Sequence, residues 1–337
     1  VKRLQTALYS SKDLIIDSTF KFYHVCVLGG ASEIGQVLNL MLRAEPSVSK
    51  LVVHDTGEIT PGVVIELSHI PVKSSLRGYL GEASMTEALR NSDLVLLAGG
   101  LLKTPGVSDK ACLEANTDFV KTAASHIGRM PQMPFVGIVT EPVNTLVPMA
   151  AEILRNMGMF DSRKMFGVTT IDWLRAQTLF ATQQGLAPED CFVPVIGGHS
   201  DRTAVPLISK SKPVTNMTDE EILKFVTKLR NYDETITQAK HGKSPTVSIA
   251  YGVLLFARQI LKALDGLPAQ ANAYVENNDY GTSYFSGLVH IDAKGVKEMA
   301  KYTDNISQYE CQLLDTALVE LRKDVAMGKK VLEVDQQ

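Results

Sequence analysis

What most constrains this chain is a glycine-rich turn, Gly29-Gly30-Ala31-Ser32-Glu33-Ile34-Gly35-Gln36, set directly after the apolar β-type run 24–28. Past the turn, Ile34, Val37, Leu38, Met41 and Leu42 fall on one helical face. The next β-type run, 50–54, ends at Asp55, twenty residues beyond Gly35. Strand, glycine turn, helix, strand and an acid at that distance predict a dinucleotide-binding βαβ unit. Glycines in such a turn let the backbone approach a pyrophosphate, whose charge rests on the amides and positive dipole of the helix start. An acid placed like Asp55 binds the adenine ribose hydroxyls. Gly29, Gly35 and Asp55 are therefore candidate cofactor residues. Two neighbours oppose NAD. Ser32 adds a Cβ where close approach favours glycine, and Glu33 puts a negative charge where the diphosphate belongs. The alternative for Glu33 is a solvent-facing acid at the helix start, worth about 0.3–1 kcal/mol.

Further apolar runs at 93–98 and 135–140 alternate with stretches of helical spacing, the pattern of a buried parallel sheet covered by helices. The fold class expected is α/β, a doubly wound parallel sheet of Rossmann type with a second α+β domain. The second half is more helical: 171–184 shows helical spacing, Thr218 with Glu221 forms a capping box, and a long helix over about 306–327 closes the chain. The change of pattern divides the chain into an N-terminal extension (1–20), a dinucleotide-binding domain (21–150) and a C-terminal domain (151–337). The tract 274–285 reads as a hairpin region.

A formal net charge of -3 with scattered basic residues leaves no electrostatic footprint for nucleic acid or an anionic membrane. No apolar run approaches the roughly 18 residues of a membrane span, so no span is expected. Cys26, Cys112, Cys191 and Cys311 lie far apart, which argues against a zinc site or a disulfide framework and fits a reducing compartment. The histidines have no metal-ligand spacing. Cys112 is given no role, because free cysteine is usually a small buried hydrophobe.

Several motifs occur in a specific order: the 29–36 turn, Pro61-Gly62, Leu67-Ser68-His69-Ile70-Pro71, Pro142-Val143-Asn144, residues 166–172, Ile196-Gly197-Gly198-His199, and residues 244–251. On these the chain, from about residue 24 to 331, resembles the lactate/malate dehydrogenase family, especially malate dehydrogenases of mitochondrial type. The resemblance implies NAD, a homodimer, and reversible hydride transfer between the C4 of nicotinamide and the C2 of malate or oxaloacetate. It also implies the mitochondrial matrix, or otherwise the cytoplasm. By the same resemblance His199 accepts the hydroxyl proton, Asp172 orients it, and Arg175 clamps the substrate carboxylate. The chemistry is reasonable: an imidazole titrates near neutral pH and a carboxylate fixes its tautomer and raises its basicity. Asp172 and Arg175, three apart, share one helix face.

The departures from the family fall at the chemistry. Where its mobile loop reads Arg-Lys-Pro-Gly-Met-Thr-Arg, this chain has Lys103-Thr104-Pro105-Gly106-Val107-Ser108-Asp109, and Glu141 replaces an asparagine. Lys103 lacks the planar fork that grips a carboxylate, Asp109 reverses a sign, and Glu141 adds an acid. Together these shift the formal charge by -3. Weak turnover of malate is expected. The favoured expectation is a catalytically impaired homologue kept for a structural role or for docking to other proteins of a larger assembly, with 1–20 as a docking arm. The alternative is an active NAD-dependent 2-hydroxy acid dehydrogenase of altered substrate preference.

Overall fold

The computed structural model describes residues 22–102 and 106–334. The N-terminal extension and Lys103 lie outside the described residues.

Six strands, β1 (Tyr23–Leu28), β2 (Val48–Asp55), β3 (Ser75–Leu80), β4 (Leu94–Leu97), β5 (Phe135–Ile138) and β6 (Met165–Val168), run parallel in the order β3-β2-β1-β4-β5-β6. This is the strand order of a doubly wound dinucleotide-binding sheet, with its crevice where the order reverses, between β1 and β4. The central strands β1, β4 and β5 are almost wholly buried, as their unbroken apolar runs require. Five more strands are β7 (Val195–Gly197), β8 (Ala204–Pro206), β9 (Ala269–Glu276), β10 (Tyr284–Asp292) and β11 (Gly295–Met299). They extend the same sheet through the antiparallel pair β6 and β9, joined at Gly167 with Tyr274 and Val168 with Ala273. Strands β9 and β10 form the hairpin expected near 274–285.

Among the described residues ten α-helices cover the sheet: α1 (Glu33–Arg43), α2 (Thr60–Ser68), α3 (Met85–Leu89), α4 (Asp109–Ile127), α5 (Val143–Asn156), α6 (Thr170–Gln184), α7 (Asp219–Arg230), α8 (Tyr232–Ala239), α9 (Val247–Leu264) and α10 (Gln308–Val334). Ile34, Leu38 and Leu42 of α1 are buried as their spacing predicts. The capping box on α7 is present, with Thr218 and Glu221 bonded in both directions. Residue 150 lies inside α5.

One sequence expectation needs correction. Helix α9 is long and apolar enough, by length and composition, to cross a membrane, although no run was expected to come near that length. Half of it is buried inside the protein, and it packs on α1 and α6 with Phe256, Ala257 and Ile260 in the core. Its hydrophobicity is that of a helix enclosed on several sides.

Candidate active site

The β1–α1 turn is built on glycine for steric reasons. Gly29 has φ +77°, and a Cβ there would lie 2.1 Å from the Gly99 Cα, in the loop after β4. A Cβ on Gly35 would stand 2.3 Å from the Gly29 carbonyl oxygen. The turn, the helix start and the β4 loop therefore meet backbone to backbone at the switch point. Gly29→Ala combines a left-handed φ with this clash, and we expect it to destabilise the fold by several kcal/mol, on the order of 3 or more, read as a lowered midpoint of denaturant unfolding.

Ser32, whose added Cβ was expected to oppose close approach, turns its hydroxyl into the turn. Its hydroxyl caps α1, accepting from the Gly35 amide at 2.9 Å and donating to the Ala98 carbonyl at 2.7 Å. The serine side chain is thus used within the turn, as a helix N-cap that satisfies an otherwise orphaned amide. Glu33 is exposed in the first turn of α1, the solvent-facing of its two expected placements. At the end of β2, Asp55 accepts from the Ala31 amide at 2.8 Å with one oxygen and from the Gly57 amide at 3.1 Å with the other. Those bonds fix the carboxylate beside the turn, and a carboxylate retains further lone pairs for ribose hydroxyls. The cradle that any Cβ would fill, the opening amides of α1 and the anchored Asp55 fit a dinucleotide.

Past the switch point lies a cavity of about 530 Å³, lined in part by Glu141, Asp172, Arg175, His199 and Asp233. Its wall is assembled from distant segments. Asn116 on α4 donates to the Glu141 carbonyl at 2.6 Å and to the Leu101 carbonyl at 2.9 Å, tying the loop after β5 to the loop after β4. Asn144, in the first turn of α5, accepts from the His199 amide at 2.8 Å and donates to Asp324 of α10 at 3.0 Å. These two asparagines are positioning residues that sequence reasoning missed. The Pro142-Val143-Asn144 motif was the available signal for the second.

His199 follows β7, and its ring is held between two acids. Nδ1 lies 2.6 Å from Asp172 Oδ2, and Nε2 lies 3.6 Å from Glu141 Oε1. Burial alone would push the imidazole down, but Asp172 and Glu141 outweigh it and hold the ring well above its usual value. One turn along α6 from Asp172, the Arg175 side chain is only 9% exposed and forms an ion pair with Asp233 of α8. Its guanidinium lies 6.0 Å from the centre of the Tyr232 ring. Burial disfavours the charge on Arg175, whereas Asp233, with Asp172 and Glu141, keeps it ionised.

The structure thus gathers His199, Asp172, Arg175 and Glu141 in one cavity and places Gly29, Ser32, Glu33, Gly35 and Asp55 at the turn. Asp109 opens α4 behind the N-cap Ser108, and its side chain lies outside the described residues. Asp233 was not anticipated, since no local spacing links it to Arg175. None of the four cysteines forms a disulfide; Cys112 is buried and Cys311 exposed. Among the described residues no group of His, Cys, Asp and Glu could hold a metal ion.

Residues 23–167 match the NAD binding domain of lactate/malate dehydrogenase, and residues 169–332 match its alpha/beta C-terminal domain. The malate dehydrogenase of Vibrio vulnificus (strain CMCP6) is 39% identical over 306 residues, covering 90% of this chain and 98% of the relative. That of Moritella sp. (strain 2D2) is 36% identical over 309 residues, covering 91% and 98%. Among solved structures, Cryptosporidium parvum malate dehydrogenase superposes with a TM-score of 0.79 at 22% identity, covering 92% of this chain and 99% of the other. Eimeria maxima lactate dehydrogenase with NADH and oxamate gives 0.79 at 19% identity, covering 94% and 96%.

Proposed function

We propose a function from the premise that this chain belongs to the lactate/malate dehydrogenase family: it is an NAD-dependent 2-hydroxy acid dehydrogenase that handles malate and oxaloacetate weakly and prefers a substrate with a neutral or cationic distal group. The observation that carries this reading is the His199–Asp172 pair at 2.6 Å, in the same cavity as Arg175 and the added acid Glu141.

Each part of the site has a role in that chemistry. NAD, when bound, supplies or accepts the hydride. The Gly29–Gly35 turn would hold its pyrophosphate and Asp55 its adenine ribose. His199 Nε2 gives a proton to the carbonyl oxygen of a 2-oxo acid, or takes it from the hydroxyl in the reverse direction. Asp172 accepts from Nδ1, fixing the ring and favouring its charged form. Arg175 would hold the carboxylate next to the reacting carbon with its planar fork. Glu141 repels a second, distal carboxylate and attracts an ammonium or a hydrogen-bond donor. A homodimer in the mitochondrial matrix is part of the same proposal and rests on the resemblance.

A second reading, a protein retained for structure or for interaction with a larger assembly, is favoured by one observation: Arg175 is already paired, with Asp233. Binding of NADH separates the two. The chain has a single tryptophan, Trp173, next to Asp172, so energy transfer from it to bound NADH is a direct readout. Micromolar affinity is the expected result. Absence of binding at millimolar NADH would remove the dehydrogenase reading and leave the second one.

A further inference from the structure

We infer that Asp233 is a built-in competitor for the substrate carboxylate, a tethered anion that occupies Arg175 until a 2-oxo acid displaces it. The inference deepens the dehydrogenase reading and rests on it for the identity of the displaced ligand.

Charge supplies the first argument. Within the wider cavity, which also carries Lys110, Arg202, Arg230 and further acids, Arg175 and His199 are paired directly with three carboxylates, Asp172, Glu141 and Asp233. A substrate carboxylate arriving at Arg175 with Asp233 still in place would be a fourth anion in a partly desolvated space. Its cheapest entry is exchange for the one carboxylate that can leave.

Burial identifies which one that is. The Asp172 side chain is 10% exposed and bonded to His199, and that of Glu141 is 25% exposed and faces His199, whereas Asp233, the carboxylate on Arg175, is 48% exposed. In the inferred exchange Asp233 returns to water by rotating its own side chain. Its backbone need not move, because its carbonyl accepts from the Thr237 hydroxyl at 2.6 Å within α8. Arg175 keeps its place when Asp233 departs, since the guanidinium still faces the Tyr232 ring and its side chain is almost enclosed. The exchange therefore swaps one carboxylate for another on a fixed guanidinium. A tethered group competes at high effective concentration, so Asp233 raises the substrate concentration needed for occupancy and rejects weakly bound anions.

The test titrates oxamate, a small carboxylate with an adjacent amide, into the full chain with and without NADH, comparing wild type with Asp233→Asn. Expected is at least tenfold tighter oxamate binding in the variant, about 1.4 kcal/mol, at an unchanged melting temperature or a modestly lowered one. Unchanged or weaker binding in a folded Asp233→Asn protein would overturn the competitor role and leave Asp233 as a structural ion-pair partner. If the variant does not fold, a crystal of the wild-type protein with oxamate decides: Asp233 turned away from Arg175 supports the inference, and Asp233 still on Arg175 with oxamate elsewhere refutes it. Tighter oxamate without NADH binding would retain this inference while sinking the dehydrogenase reading; NADH binding without tighter oxamate would do the reverse.

Discussion

The triple variant Lys103→Arg, Asp109→Arg, Glu141→Asn is expected to raise kcat/KM for oxaloacetate by about 10²- to 10³-fold. The size follows from what the wild-type cavity withholds from a dicarboxylate. A buried charge left without its partner costs about 3–5 kcal/mol, and each 1.4 kcal/mol is about a factor of ten. The changes restore an arginine fork on the loop and remove two acids, one of which, Glu141, stands 3.6 Å from His199 Nε2. An opposing effect is an arginine at the first position of α4, where the helix dipole disfavours a cation. That costs only about 0.3–1 kcal/mol, so the gain prevails. Steady-state oxidation of NADH with oxaloacetate measures it. A folded, NADH-binding triple variant with no gain would show that these three positions do not limit dicarboxylate use.

The second large effect concerns His199. Asparagine at this position keeps a donor towards Asp172 but cannot exchange a proton near neutral pH, so turnover should fall by about 10²- to 10⁴-fold. NADH binding should persist, because the glycine turn is formed by other segments. The pH dependence of the wild type carries a further sign. Burial pushes the imidazole down, but Asp172 and Glu141 outweigh it and hold the ring above its ordinary value, so the protonated form persists to higher pH than in a free imidazole. Reduction of the 2-oxo acid, which needs the proton donor, is favoured over that wider range, and oxidation of the hydroxy acid, which needs the free base, is shifted to more alkaline pH. Glu141→Gln removes one of the two acids and lowers the His199 value, so the acid limb of the oxidation profile should move to lower pH. A limb that stays put would mean that Glu141 does not couple to the ring, and a His199→Asn protein of undiminished rate would assign the proton transfer elsewhere.

Local physics made much of this protein legible before any coordinates. The β1–α1–β2 unit follows from short-range rules: an apolar run, glycines where the backbone must turn sharply, a 3.6-residue apolar face and an acid at the end of the next strand. The structure places Gly29, Gly35 and Asp55 as those rules require. His199 and Asp172 were readable because each sits in a motif, and Arg175 because it shares a helix face with Asp172.

Other features depended on contacts between segments far apart in the chain. That Gly29 must be glycine because it meets Gly99, that Ser32 turns inward as a cap and that Glu33 turns outward are outcomes of packing, since a residue's identity does not set its side-chain direction. The pairing of β6 with β9, which merges the two halves into one sheet, joins strands about a hundred residues apart with no local signature. No uninterrupted apolar run marks helix α9, because polar residues break it, and its enclosure became evident only beside α1 and α6. Likewise Asp233 lies 58 residues from Arg175. Sequence alone determined which chemical groups the chain can bring to a cleft; the tertiary structure decided which of them face one another, because the energy of a charge depends on the partners and the solvent that folding leaves around it.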